Sequence, residues 1–190
     1  PECFAAFHDS ESDDFVLVLE DLTGGEVYSQ IDGCPIPQAE YAVKALAEHH
    51  AAFWDSSRFS EDLAWVPRGW DPPMPQGVQQ GVADAWPICQ EMFGDRISDR
   101  IRKICERFPS VTTELMQYPE AGTTLSHGDF RLDNLFFNGS ELTVIDWQIC
   151  IRTRGAYDLG YFLSQSLTVE DRRAHAKSLM DLYQSTLALS

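Results

Sequence analysis

The stretch His127-Gly128-Asp129-Phe130-Arg131-Leu132-Asp133-Asn134 puts an imidazole, a carboxylate, a guanidinium and an amide into one short segment, and Val144-Ile145-Asp146-Trp147 adds a second carboxylate soon after it. Phosphoryl transfer to a hydroxyl needs these groups. One carboxylate orients the attacking hydroxyl and takes its proton. Hard oxygen donors hold Mg²⁺ against the phosphates. Between Asn134 and Asp146 run Leu135-Phe136-Phe137, then Asn138-Gly139, then Leu142 to Ile145. Asn-Gly between apolar runs is a strong hairpin signal, and a tight hairpin returns its two ends to one place. Asn134 and Asp146 can therefore converge on one cation. The pattern H-x-D-x-x-x-x-N alone is weak. Its force comes from its setting: an apolar run before it, a hairpin after it, and the second Asp at the end of the return strand.

The surrounding elements must hold these groups. Glu2 to His8 and Phe15 to Leu19 predict a β-hairpin around the polar turn Asp9–Asp14, with FVLVL short and β-branched enough for a buried strand. Glu20-Asp21-Leu22-Thr23-Gly24-Gly25 breaks that pattern. Apolar residues at Ala42, Leu46, Ala47 and Phe53 predict a helix over 38–54. Residues 55–75, with Trp65, Pro67, Trp70, Pro72 and Pro73, read as a long irregular loop of functional or inserted character. Helices are expected near 76–93, 95–107 and 110–117, then near 157–166 and 169–189, the last opened by Thr168 with Asp171 in its first turn. The fold class is thus α+β: a hairpin, then a mostly helical domain with a small two-stranded element in its middle.

Composition excludes some functions. Fourteen basic residues stand against thirty acidic ones, a net charge of −16. Nucleic-acid binding needs a cationic face, which this chain is poorly equipped to form. A cationic substrate or a metal suits the field better, although solubility alone accounts for most of the acids. No apolar run is long enough to span a membrane, and no leader is visible at the start of the chain. The five cysteines, at positions 3, 34, 89, 105 and 150, form no C-x-x-C pair, so reduced thiols in a cytoplasmic protein are expected, without zinc.

The quoted loop, from Leu125-Ser126-His127-Gly128-Asp129 to Asn134 with Ile145-Asp146-Trp147-Gln148, closely resembles the aminoglycoside-phosphotransferase and choline-kinase-like superfamily, nearest its ecdysteroid-kinase-like branch and bacterial relatives. Leu17-Val18-Leu19-Glu20-Asp21-Leu22 resembles that family's hinge, Leu46 to Trp54 its "L-A-x-x-H-A-x-F-W" helix, and Gly155 to Leu163 the helix after the metal-binding Asp. The likeness runs through nearly the whole chain. It implies a protein-kinase-like fold, here mostly the helical C-terminal lobe (35–190), with a remnant of the N-terminal sheet (1–19) and a hinge or linker (20–34). It implies ATP as co-substrate, Mg²⁺ as cofactor and a small-molecule hydroxyl acceptor. By the same resemblance Asp129 is the catalytic base, Asn134 and Asp146 bind Mg²⁺, and His127 supports the loop. Arg131 stands two residues after Asp129, where many protein kinases carry a Lys, and would face the transferred phosphate. Backbone groups of Glu20, Asp21 and Leu22 would meet adenine.

Plainer roles compete at several positions. His127 reads equally as a buried, hydrogen-bonded histidine, Asp133 as a loop cap, and Asp158 as a holder of backbone amides beneath the loop. His49 and His50 read as helix packing, and Trp54, Trp65 and Trp70 as anchors. The family's N-terminal lobe supplies a phosphate-covering loop and a strand lysine. Here Lys44, Lys103 and Lys177, the only lysines, all follow the hinge, and no Gly-rich loop precedes residue 15. The expectation is a fragment, weak in ATP binding alone and prone to self-association through an open strand edge. A non-catalytic kinase-like binding module is the alternative, and another Mg²⁺-dependent enzyme such as a hydrolase a more distant one.

Overall fold

The computed structural model describes residues 1–117, 121–139 and 141–189. Strands β1 (Cys3–His8) and β2 (Phe15–Leu19) pair antiparallel as expected. Asp9 closes the turn: its N–H donates to the Asp14 carbonyl and its own carbonyl accepts from Asp13, both at 2.8 Å. β2 departs from expectation in one respect. Its side chains are exposed on both faces, Phe15 at 68% and Leu17 at 52%, so FVLVL is a strand by backbone preference and not by burial in this chain.

Helix α1 (Ile36–Ala52) starts after Pro35, whose fixed φ suits a helix entry. It buries Ala39, Ala42, Val43, Leu46, Ala47 and His50, which recur at helical spacing along one face. Helices α4 (Ala156–Gln165) and α5 (Val169–Leu189) complete this core with Leu159, Phe162, Leu163, Leu179 and Tyr183. The Thr168 hydroxyl caps α5: it accepts from the Asp171 N–H at 3.1 Å and donates to the Asp171 carboxylate at 2.8 Å. Against the core lies the hairpin of β4 (Leu135–Asn138) and β5 (Glu141–Val144), in register from Leu135 opposite Val144 to Asn138 opposite Glu141. Gly139 supplies the positive φ, 59°, that its turn requires.

These elements form one compact unit, residues 1–53, 126–150 and 155–190; a second comprises 54–125 and 151–154. The second is built on α2 (Met74–Phe93) and α3 (Asp99–Leu115), with Ser98 capping α3. Where two short helices were expected around Pro109, α3 runs through it as one element. The Ser110 hydroxyl donates to the Arg107 carbonyl and the Thr112 hydroxyl to that of Phe108, both at 2.7 Å. The turn around the proline is thereby bridged by side-chain bonds. Residues 55–75 are better ordered than a loop. Asp55 receives the N–H groups of Gly122 and Thr123, Arg58 makes a bidentate contact with Asp62, and Arg68 bridges Arg152. Residues 124–126 form β3 (Thr124–Ser126), which pairs with β6 (Ile151–Thr153).

Candidate active site

The candidate site lies in the first unit, on the loop 127–134. Asp158, wholly buried in the first turn of α4, accepts the N–H of His127 at 2.6 Å and of Gly128 at 3.0 Å. The loop backbone is thus pinned by a carboxylate, as expected for Asp158. Gly128 adopts φ +91°, and a Cβ there would collide with the Ile149 carbonyl oxygen, so only glycine fits. The His127 Nδ1 accepts the Asp129 N–H at 3.1 Å, which leaves Nε2–H to donate to the Ile145 carbonyl at 2.8 Å. One buried imidazole thereby ties the Asp129 segment to the backbone just before Asp146. The Trp147 ring lies 4.6 Å from that of His127 and 5.0 Å from that of His49.

Asp129 receives two side-chain donors at Oδ2, Arg131 Nε at 3.0 Å and Asn134 Nδ2 at 3.1 Å, with the Tyr161 hydroxyl nearby. Partial burial pushes the Asp129 carboxyl pKa up. The bonds from Tyr161, Arg131 and Asn134, with the guanidinium charge, outweigh that and hold it below the ordinary value. The carboxylate is therefore ionised and aimed at neutral pH. Arg131 also reaches Gln30 at 2.9 Å and Asp133 at 3.2 Å, so its fork is held by its own loop and by the segment before α1.

Asn134 is buried, and its Nδ2 donates to both the backbone carbonyl and the carboxylate of Asp129. That orientation leaves Oδ1 as the free oxygen. The Asn134 carbonyl accepts the Ile145 N–H at 3.0 Å, which sets Asn134 and Asp146 at the same end of the β4–β5 hairpin. Asp146 is exposed, sits at φ +63°, and its carboxylate bonds to none of the described residues. An amide oxygen and an uncommitted carboxylate are the donor types Mg²⁺ takes, with phosphates and water completing its shell. No cluster of three His, Cys, Asp or Glu side chains able to hold a metal occurs among the described residues.

A cleft of about 530 Å³ lies beside this end of the hairpin, lined by Leu17, Leu19, Val144, Ile145, Asp146 and Trp147. Glu20–Leu22 follow directly after β2. The Glu20 N–H donates to the Glu2 carbonyl at 2.9 Å, Asp21 caps the Thr23 N–H at 3.0 Å, and the Leu22 carbonyl accepts from Gly25 at 2.9 Å. On this strand the cleft is lined by Phe15, Leu17 and Leu19, and none of Glu20, Asp21 and Leu22 lines it.

Three participants escaped the sequence reading. Tyr161 lies one helical turn beyond Asp158 on α4, a spacing that puts both on one face and was a usable signal. Gln30 gave none. His50, expected only to pack, donates from Nε2 to Asp158 at 3.2 Å and meets the Tyr183 hydroxyl through Nδ1 at 2.7 Å. Gly155 lets this buried chain close, because a Cβ there would strike the Tyr183 hydroxyl and approach His50 Nδ1 to 2.7 Å.

A carboxylate held over a loop whose amides are pinned from a helix below, with a metal-type pair on the adjoining hairpin, is the arrangement of kinase-like proteins. The sequence profile of the ecdysteroid kinase-like family matches residues 74–190, and the chain belongs to that family. The matched region contains the loop 127–134, the β4–β5 hairpin, α4 and α5; residues 20–22 and α1 precede it. A comparison with curated proteins finds no match.

Proposed function

We propose that this chain carries the catalytic lobe of an ATP-dependent phosphotransferase that moves the γ-phosphoryl group to a hydroxyl of a small molecule. The observation that carries this reading is the coupling of base and metal-type ligands: Asn134 bonds Asp129 through its side chain and the residue before Asp146 through its backbone. Asp129 would orient the acceptor hydroxyl and take its proton at Oδ1, the carboxylate oxygen that neither Arg131 nor Asn134 occupies. The cleft beside Leu17, Leu19 and Trp147 would take the adenine, with Glu20, Asp21 and Leu22 just past the strand that lines it. Asn134 and Asp146 would hold Mg²⁺, which when bound neutralises the phosphate oxygens. Arg131 would add a cation near the transferred group, although its contacts to Asp129, Gln30 and Asp133 make it first a holder of the loop. The acidic surface and unpaired thiols suit a reducing, cytoplasmic setting.

The test is ADP release by the full-length protein across a panel of hydroxyl compounds, in parallel with magnesium calorimetry. Wild type should turn over at least one acceptor and bind Mg²⁺, and Asp146→Ala should lose both. Retained Mg²⁺ binding in that variant overturns the metal assignment. Absence of turnover with any acceptor, while ATP still binds, favours the non-catalytic alternative.

A further inference from the structure

The second unit contains a cation that the phosphotransferase reading does not use. Arg152, on β6, is half-buried with its guanidinium lying 4.6 Å from the centre of the Phe59 ring and 5.6 Å from that of Trp70. Its Nε donates to the Thr123 hydroxyl at 3.1 Å. Its Nη groups meet no acceptor among the described residues. Arg58 has Asp62, Arg131 has Asp129, Lys177 has Asp181 and Lys44 has Glu48; Arg152 is instead clamped against two rings, with no acid on its fork among the described residues. The carboxylate nearest to hand, Asp71, is taken by Arg68 at 2.6 Å through Nε.

The surroundings form a receptacle. Arg152 lines a cleft of about 410 Å³ with Ser60, Ala64, Trp65, Arg68 and Asp71. The backbone fixes the arrangement: the Arg152 N–H donates to the Pro67 carbonyl at 2.8 Å, and the Gly69 N–H to the Arg152 carbonyl at 2.9 Å. Arg68 and Arg152 are thereby set side by side, both against Trp70. A guanidinium stacked on rings and anchored at Nε has lost its rotamer freedom, and its remaining edge is a planar fork of donors. That fork matches the two oxygens of a carboxylate or phosphate group. An unpaired charge of this kind is costly to half-bury unless a ligand satisfies it.

We infer that the second unit binds a small oxyanion, a carboxylate or phosphate group, in the cleft headed by Arg152. The site is separate from the Asp129 loop in its residues, and its test does not depend on phosphotransferase activity.

Trp70 offers the readout, because an anion on Arg152 alters the environment of the indole beside it. The full chain is titrated at low ionic strength with inorganic phosphate and, separately, with acetate, following tryptophan fluorescence and heat. Saturable binding of either anion is expected, and the stronger of the two tells a phosphate group from a carboxylate. Arg152→Gln should lose affinity by roughly tenfold or more. Since that substitution also unclamps Phe59 and Trp70, Ala64→Glu serves as the second variant. Ala64 is exposed, so the fold should tolerate a carboxylate that occupies the cleft and competes with the anion. Arg58→Gln, outside the cleft, should bind as wild type. No saturation with either anion overturns the inference, and so does binding that survives both Arg152→Gln and Ala64→Glu.

Discussion

At the scale of single residues, the site's chemistry rests on Asp129. Its carboxylate is ionised and oriented by Tyr161, Arg131 and Asn134 before any acceptor arrives. In the full-length protein, Asp129→Asn should lower kcat by roughly 10²–10⁴-fold and leave the ATP dissociation constant nearly unchanged. On the proposed reading the residue meets the acceptor and not the nucleotide, so the effect is confined to the transition state. Near-normal turnover would remove the base role; a large rise in the ATP constant would make Asp129 a nucleotide ligand. Thiols offer a second test at this scale. Burial pushes the Cys34 thiol up to about 11, with the Asp171 charge adding to it, while Cys3 is exposed. A thiolate-specific alkylating agent at pH 8 should therefore label Cys3 quickly and leave Cys34 unmodified until the chain is denatured. Equal labelling in the native state would show that α1 and its neighbours open readily.

At the scale of elements, the loop is held by a chain running from α5 through α1 to α4: Tyr183 to His50 to Asp158 to the amides of His127 and Gly128. Burial and the nearby Asp158 charge both push the Tyr183 hydroxyl pKa up, so it remains a neutral donor to His50. Tyr183→Phe should cost about 1–3 kcal/mol by leaving Nδ1 unpaired. His50→Leu should cost more, about 3–5 kcal/mol, since it removes two buried hydrogen bonds at once, one of them to the Asp158 carboxylate, and Gly155→Ala about 1–3 kcal/mol by overpacking. Thermal unfolding checks the order; equal stabilities for Tyr183→Phe and His50→Leu would show that Asp158 finds another partner. Much of the element structure was legible in the sequence. The periodic face of α1, the Thr168 cap and the Asn138-Gly139 turn are local signals, and each led to the right element. The His50–Tyr183 contact spans 133 residues and leaves no periodic trace. The continuity of α3 through Pro109 was hidden because a proline reads as a helix breaker and no local residue signals that the helix continues past it. β2 was read as buried because a β-branched apolar run does not say which face has a partner.

At the scale of the whole molecule, two opposing tendencies meet. The β1–β2 hairpin exposes Phe4, Phe7, Phe15, Val16, Leu17 and Val18, and exposed apolar strand edges favour pairing. The net charge of −16 opposes it. Association of residues 1–190 should therefore grow with concentration and also with added salt, which screens the repulsion beyond a Debye length of about 10 Å at 0.1 M. Light scattering over a salt series tests this, with Phe15→Glu and Leu17→Glu expected to return the chain to monomer. A fall in mass on adding salt would point to ion pairing as the cause instead.

The two halves of the site differ in how far along the chain their supports lie. Asn134 and Asp146 are joined by one short hairpin, whereas Asp129 depends on Asp158 and, through it, on His50, 108 residues from Asp158. Structure sustained by distant contacts opens as a cooperative block, while a local hairpin can persist through such an opening. Amide exchange at His127 and Gly128 should then follow the slow amides of α5 and not those of β4–β5. On warming, Asp129 would lose its aim while Asn134 and Asp146 still stood together; under the proposed reading, turnover would then fade before magnesium binding did.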